Sequence, residues 1–547
     1  MNQDDLIKFY KRIIPFELFG SQLNNDMFYN LLTIIATRAT HECVLTQSIS
    51  SGYDPNAIDW LHDVIPNKRK AMLHMGLRVL IEIIVYPTFN KMFHPVRMGQ
   101  YYEIRFAERV KWSNYLAKVR NFLVKSKSIV AVERKLVVKP RGVLYIRPRG
   151  DLTNIIDFRP YVVFNSKLNV MSTIYKKTVT KSLYQYAESL TFVKRTHFGK
   201  HWQKYIRIVG DSKLFATKLD LMDCFSNISV DILIDILNDA DVKYLSKNMK
   251  EKLKFYVKHQ YVMFGNRLWL WKRGLLQGDR FSSGLCEVYF AKLDSVNLRE
   301  FNKTNCFLHK TVDDYFFCST KEEDVANFKQ ILTSYAMINT TKIEDNRITI
   351  TYCNFKINLN HRHVSNYYRF PKDTHIHCKY KLWNVNAQLS QLGLLTKSLF
   401  FAYNNNNFNA TALNTSYNND QTILRNYYEA MVLLAFKFDA MIMGISLGKP
   451  SMSYKSEHFE RHIFSTVHYY SKKLIPSIPR RVKEKIAYFA FLVVLERRKN
   501  KLYREMVSHL KLLINKLYTS QFNMSYYKQL PECFKNISLR REFKPLV

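Results

Sequence analysis

Glycine and proline are both scarce, 15 and 14 in 547 residues, which excludes collagen-like and linker-dominated architectures. Cysteine is sparse as well: eight, at positions 43, 224, 286, 306, 318, 353, 378 and 533, with no CxxC pair. Neither a zinc ribbon nor a disulfide framework is indicated, and reduced thiols fit the cytosol or nucleus. Long hydrophobic runs are missing. The longest, Ile486–Leu495, lies between Lys485 and Glu496 and is too short to span a bilayer. The N-terminus, Met1-Asn2-Gln3-Asp4-Asp5, has no basic-then-apolar signal pattern. Acidic side chains are in deficit: 45 Asp+Glu face 83 Lys+Arg, a formal charge of +38. So lopsided a balance argues against a typical metabolic enzyme and for a polyanionic partner. Without a spanning segment, nucleic acid is favoured over a membrane.

What is present is ample apolar material. At 47% hydrophobic residues the chain can bury several cores, and its length corresponds to roughly three or four domains. The 14% aromatic content suits stacking on bases, although an A/T-rich coding sequence raises Lys, Asn, Tyr, Phe and Ile together. The basic clusters Arg480–Lys485 and Arg497–Lys501 read either as solvated helix faces or as nuclear-import signals.

Three regions follow from the patterning. Residues 1–127 read as helical, with apolar spacing through Phe28–Ile35 and Leu77–Val85. Residues 128–375 mix helices with short β-branched and aromatic runs: Leu136–Val138, Val143–Ile146, Tyr161–Phe164, Tyr261–Trp271 and Tyr315–Cys318. Within them Gly265-Asn266 separates two alternating runs and predicts a hairpin. Residues 376–547 read as helical again, with long periodicity in Met431–Ile445 and Ile486–Leu517. The Asn-rich tract Asn404–Asn419 reads as a surface loop.

The most informative string is Thr311-Val312-Asp313-Asp314-Tyr315-Phe316-Phe317. Two adjacent acids at a hairpin tip repel each other, and a divalent cation resolves that conflict. Taken alone, an ordinary Asp-Asp turn explains the string as well. A second acidic string, Lys218-Leu219-Asp220-Leu221-Met222-Asp223-Cys224-Phe225, reads as a strand entering a turn, with Ser229 as N-cap of the next helix. A strand-end Asp plus a hairpin Asp pair is the ligand supply of a two-metal phosphoryl-transfer site. Between them Gly274, Gly278 and Gly284 cluster around Leu276-Gln277-Gly278. Such clustering fits either close approach of a template–nucleotide pair or a helix-entry turn at positive φ.

The order Asp220/Asp223/Phe225, then Leu276-Gln277-Gly278, then Val312-Asp313-Asp314 resembles a reverse-transcriptase palm. Lys139–Arg149 and Asp157-Phe158-Arg159-Pro160 resemble its fingers motifs. Asn339-Thr340-Thr341-Lys342 resembles the lysine-bearing motif, and Ile350-Thr351-Tyr352-Cys353 the primer grip. Val-Asp-Asp-Tyr, with Ile13–Ser21 and Gly52–Leu61 upstream, is similar to the telomerase reverse transcriptases. The strings 273–279 and 309–318 are similar to the short insect members, which lack an N-terminal extension domain. Asn354 in place of Gly, the long fingers turn between Arg149 and Arg159, and Phe225 in place of Tyr depart from the pattern.

The resemblance implies an α+β multidomain fold. A helical RNA-binding domain, fingers and palm on an antiparallel sheet with helices, and a helical thumb would form a right-hand polymerase closed into a ring. It implies RNA-templated DNA synthesis with two Mg²⁺ held by Asp220, Asp313 and Asp314. Arg149 and Arg159 would clamp the triphosphate, and Asp223 would lie near it or cap a helix. Phe225 would exclude the 2′-hydroxyl, or is a core aromatic. Gln277 and Gly278 would line the nascent base pair. Lys342 would serve the leaving group, beside Asn339. Tyr352, Cys353, Lys381 and Asn386 would meet the primer. The implied partners are a telomerase RNA template, single-stranded telomeric DNA and its RNA–DNA hybrid, dNTPs and accessory telomere proteins, in the nucleus at telomeres. The rival is a retroelement or group II intron reverse transcriptase, but no nuclease pattern is seen. His361, His363, His375, His377 and Cys378 form an H-x-H…H-x-H-C string. It fits zinc ligation, and fits solvated or DNA-facing histidines better.

Overall fold

The computed structural model describes residues 3–37, 49–50, 52–98, 103–132, 140–149, 158–164, 173–345, 347–370, 376, 410–448, 456–498, 501–517 and 523–537. The chain opens with helices α1 (Gln3–Lys11), α2 (Gln22–Thr37) and α3 (Pro66–Val79), the last started by Pro66 at its first position. A π-helical turn, Leu80–Val85, carries α3 without a break into α4 (Tyr86–Met92). Tyr10, Phe19, Phe28, Leu61, Leu77 and Phe89 form the core here, and the Tyr10 hydroxyl donates to the Val85 carbonyl at 2.8 Å. The continuous helix Pro66–Met92 is long and apolar enough, by length and composition, to cross a membrane. Glu82 and Arg78 interrupt its apolar residues, so it does not stand out as a continuous run in the sequence.

This region is less purely helical than its periodicity predicts. Strands β1 (Phe93–Met98) and β2 (Glu103–Glu108) pair antiparallel ahead of α5 (Arg109–Lys125). Pro95 argues against a strand in sequence, but both strands of a two-stranded ribbon are edges, where proline is tolerated.

The middle region runs β3 (Ile129–Ala131), β4 (Gly142–Pro148), β5 (Phe158–Phe164), α6 (Thr173–Leu190), α7 (Phe198–Val209), β6 (Phe215–Asp220), α8 (Val230–Asn238), α9 (Lys247–Lys258), β7 (Tyr261–Phe264), β8 (Arg267–Trp271) and α10 (Ser282–Asn297). It continues through β9 (Cys306–Thr311), β10 (Asp314–Ser319), α11 (Glu322–Tyr335), β11 (Glu344–Asp345), β12 (Thr349–Tyr352), β13 (Phe355–Asn358) and β14 (Val364–Asn366). The predicted Gly265-Asn266 hairpin is present as β7–β8. It joins β3, β4 and β5 in one sheet of order β3-β8-β7-β4-β5. Leu136–Val138 lies outside the described residues.

A second sheet, β11-β6-β10-β9, is antiparallel and covered on both faces. The period-2 alternation of β10 divides two cores. Tyr315 and Phe317 pack with α6, α10 and α11 residues such as Leu183, Leu285 and Phe328. Phe316 and Cys318 pack with Trp202 of α7 and with Ile350 and Phe355 of the β12–β13 hairpin.

The C-terminal region packs α12 (Asp420–Gly448), α13 (Ser456–Lys473), α14 (Arg480–Leu495) and α15 (Lys501–Lys516) around one apolar core. The predicted periodic run Ile486–Leu517 is two helices, because α14 stops at Leu495. The Asn-rich tract is not wholly a surface loop. In its described part Ala412, Tyr417 and Asn418 are buried. Asn418 supplies the backbone-like bonds that β14 lacks at its edge, accepting from Val364 N–H at 2.7 Å and donating to the Val364 carbonyl at 3.1 Å.

Candidate active site

Strand β6 ends at Asp220, and β10 begins at Asp314; antiparallel pairing sets these two residues directly opposite each other. Asp313 fills the two-residue turn Val312-Asp313 that joins Thr311 to its strand partner Asp314. The Asp313 carbonyl accepts from Leu221 N–H at 2.8 Å, tying this turn to the end of β6. As a result carboxylate oxygens of Asp220, Asp313 and Asp314 lie within 4.8 Å of one another. The structure therefore brings together the three acids that sequence reasoning grouped.

The environment of Asp313 and Asp314 disfavours negative charge. Burial, with Asp220 next to it, raises the pKa of Asp313. Burial raises Asp314 to about 6, against the pull of Lys218 and with the repulsion of Asp220 and Asp313 added. Asp314 Oδ1 is buried with no hydrogen-bond partner among the described residues, and the Lys218 ammonium is 3.4 Å from it. Asp220 Oδ2 takes Lys342 Nζ at 2.8 Å and Asn339 Nδ2 at 3.2 Å. The Asn339 backbone N–H also donates to the Asp220 carbonyl at 2.8 Å. Three converging hard oxygen donors, one of them without a hydrogen bond and met only by the Lys218 ammonium, fit a divalent cation of the Mg²⁺ type. Sequence reasoning missed Lys218, although it lies two residues before Asp220 and therefore on the same strand face.

Beside the acids lies a basic rim. Asp223, at φ +47°, sits 3.8 Å from Arg149 and 3.9 Å from Arg273. The helix cap expected as an alternative role for Asp223 belongs to Ser229, whose Oγ accepts from Ile232 N–H. Arg159 of β5 pairs with Arg147 of β4, and its charge opposes the upward shift of Asp313.

Phe225 is half-buried, and its carbonyl accepts from Leu275 N–H at 2.8 Å. The glycines nearby are crowded by the chain's own backbone. A Cβ on Gly274 would stand 2.2 Å from the Phe225 carbonyl oxygen, and one on Gly278 2.9 Å from that of Val162. Gln277, whose carbonyl accepts from Val162 N–H at 2.9 Å, joins this loop to strand β5. The close approach inferred from the glycine cluster is thus met by protein, while the Gln277 side chain remains half-exposed.

Tyr352 ends β12 with its ring buried, the hydroxyl within hydrogen-bond distance of His309 Nδ1 (2.8 Å) and Thr311 Oγ1 (3.1 Å). It underpins the acid-bearing hairpin. Cys353 is half-buried in the turn that follows. That turn, Cys353-Asn354, has φ +48° and +65°, a conformation asparagine tolerates in place of glycine. Lys381, Asn386, His375, His377 and Cys378 lie outside the described residues; His361 and His363 are neighbours, with ring centroids 5.7 Å apart.

The fold carries an acid cluster at the joint of two strands, with helical regions toward both chain ends. It resembles a solved telomerase from Candida albicans in complex with a three-way-junction fragment of telomeric RNA, with TM-score 0.64 and 14% identity over 93% of this chain and 88% of that one. An apo telomerase from Candida tropicalis matches with TM-score 0.52 and 14% identity over 93% and 88%. No curated protein matches the chain in sequence. The chain thus has the mixed helix-and-sheet fold seen in these telomerase structures. Residues 369–544 match the family model of the telomerase reverse transcriptase thumb DNA binding domain, a segment that covers the predicted thumb nearly end to end.

Proposed function

We propose that this chain is an RNA-directed DNA polymerase that extends chromosome-end 3′ DNA with telomeric repeats, copying an associated RNA. The observation that carries the proposal is the convergence of Asp220, Asp313 and Asp314 within 4.8 Å in a chain whose C-terminal region matches a telomerase thumb. The fold of the telomerase structures and the +38 charge support it. Strings 273–279 and 309–318 favour the insect type within that family.

In this reading the three carboxylates would hold two Mg²⁺ ions, which supply Lewis acidity at the attacking and leaving oxygens. The primer 3′-hydroxyl gives up its proton to solvent water and attacks the α-phosphorus of a dNTP; a P–O bond forms to the primer, and the bond to pyrophosphate breaks. Arg149 and Arg159 hold the triphosphate oxygens, for which guanidinium forks are suited. Lys342, whose ammonium lies 2.8 Å from Asp220, would donate a proton to the departing pyrophosphate. Phe225 lies under the incoming sugar and leaves no room for a 2′-hydroxyl, while Gln277 and Gly278 border the nascent pair. Cys353, with Lys381 and Asn386 by resemblance, would set the primer end, whereas Tyr352, its ring buried, does not meet the primer as the resemblance implies and acts there only by holding the hairpin through Thr311. The basic surface holds the hybrid through its phosphates, so binding weakens steeply with salt. The site of action is the telomere, in the nucleus.

Primer extension by the purified ribonucleoprotein tests this. Asp313→Ala, still folded, is expected to lose extension entirely; extension at the parental rate sinks the assignment. Sequencing the co-purifying RNA separates the rival: a short template complementary to a tandem repeat supports telomerase, and the chain's own messenger supports a retroelement.

A further inference from the structure

Behind the hairpin lies a closed group of charges that the proposed chemistry does not use. Glu287 and Asp294 stand two turns apart on α10, at 4% and 0% exposure. Arg195, on the segment leading into α7, pairs its guanidinium with the Glu287 carboxylate and, at 3.0 Å, with Asp294. Lys310 of β9 is wholly buried, its ammonium 3.9 Å from Asp294 and above the rings of Phe290 and Tyr315. Two positive and two negative charges therefore balance. Asp294 also accepts from the hydroxyls of Tyr315 (2.8 Å) and Tyr335 (2.9 Å).

The second oxygen of Glu287 leaves this group and reaches the active-site turn, where Oε1 accepts the backbone N–H of Val312 at 3.2 Å. Val312 has φ +55°, while Asp313 is not among the residues with positive φ. That is the first-position left-handed geometry of a two-residue hairpin turn, ordinarily occupied by glycine. A β-branched residue there is strained and persists only where its surroundings over-determine it. The next residue is Asp313. Resting on the function proposed above, we infer that Glu287, oriented by Arg195, is a positioning residue. By holding the strained Val312 peptide it aims the Asp313 carboxylate at the cation site.

The test measures Mn²⁺ binding to the full-length chain by electron paramagnetic resonance, alongside steady-state extension of a preformed RNA–DNA hybrid. Glu287→Ala leaves Arg195 and Lys310, two buried positive charges, sharing Asp294 alone, so Arg195→Met/Glu287→Met is the fold-preserving variant. It removes one charge of each sign and leaves Lys310 facing Asp294. Both variants are expected to weaken Mn²⁺ binding about fivefold or more and to lower kcat about tenfold, with KM for dNTP within about twofold. Adding Val312→Gly, which adopts the turn without strain, is expected to return Mn²⁺ affinity to near the parental value; a merely structural role for Glu287 predicts no such rescue. Parental Mn²⁺ affinity in the Met/Met variant, or failure of Val312→Gly to restore it, overturns the inference while leaving the site reading intact if Asp313→Ala still abolishes binding. A parental chain that binds no Mn²⁺, or an Asp313→Ala chain that binds it undiminished, overturns both.

Discussion

Asp314 stands directly across the sheet from Asp220, carboxylate to carboxylate on adjacent antiparallel strands. Like charges so placed destabilise a pair of strands. An acid raised to about 6 by folding contributes stability in full only below its unfolded pKa and loses it as pH rises through 6. At pH 7.5, without divalent cation, Asp314→Asn is therefore expected to stabilise the chain by about 1 kcal/mol, after allowance for screening of a partly exposed group. Mg²⁺ should reverse the ranking by stabilising the parent alone. Thermal melts in EDTA and in Mg²⁺ decide this, and a lower-melting Asn variant in EDTA refutes the repulsion argument.

Phe225 makes a selectivity prediction. Phe225→Ala should raise ribonucleotide use relative to deoxyribonucleotide by about 10- to 100-fold, the range expected when one steric contact is removed. Competitive incorporation with matched dNTP and rNTP reads it directly. Unchanged selectivity would return Phe225 to the status of a packing residue.

His309, on the strand that leads to the acid pair, gives a second pH dependence of opposite sign. Burial lowers its pKa to about 4, so between about 6.5 and 4 the unfolded chain binds a proton that the folded chain refuses. Its contribution is complete above pH 6.5 and is lost on acidification, by up to about 3 kcal/mol. Urea titrations at pH 7.5 and 5 should show that loss, reduced in His309→Asn.

Two glycines with positive φ separate crowding from conformation. Gly274→Ala places a Cβ 2.2 Å from the Phe225 carbonyl oxygen and 2.8 Å from Ser226 backbone, whereas Gly210→Ala meets nothing within 4 Å. Both lose glycine's conformational freedom, at about 1 kcal/mol. Gly274→Ala should cost at least about 2 kcal/mol more, because backbone atoms cannot swing aside. Equal losses in chemical denaturation would contradict this.

The acid cluster and the β7–β8 hairpin were legible in sequence because turn chemistry and alternation are local. Asp220, the Asp313-Asp314 pair and the Gly265-Asn266 turn each carry their signal within a few residues. What was illegible depended on distance along the chain. Glu287 and Arg195 are 92 residues apart, and nothing around either names the other; the available hint was two acids at i, i+7, Glu287 and Asp294, on one face of α10. The buried Asn418 looked like loop because asparagine's preference for turns and its capacity to stand in for backbone at a strand edge leave the same residue in the sequence. Pro95 hid a strand for the same kind of reason, since only the topology reveals that the strand has a free edge.

The residues of β10 from Tyr315 to Ser319 are all buried, with alternate side chains keyed into opposite cores. Its amide protons should accordingly be among the last in the molecule to exchange with deuterium, surviving even when outlying helices open. An inactive variant altered at the acid tip would then keep its slow-exchanging scaffold, so chemical loss and structural loss become separable in a single spectrum.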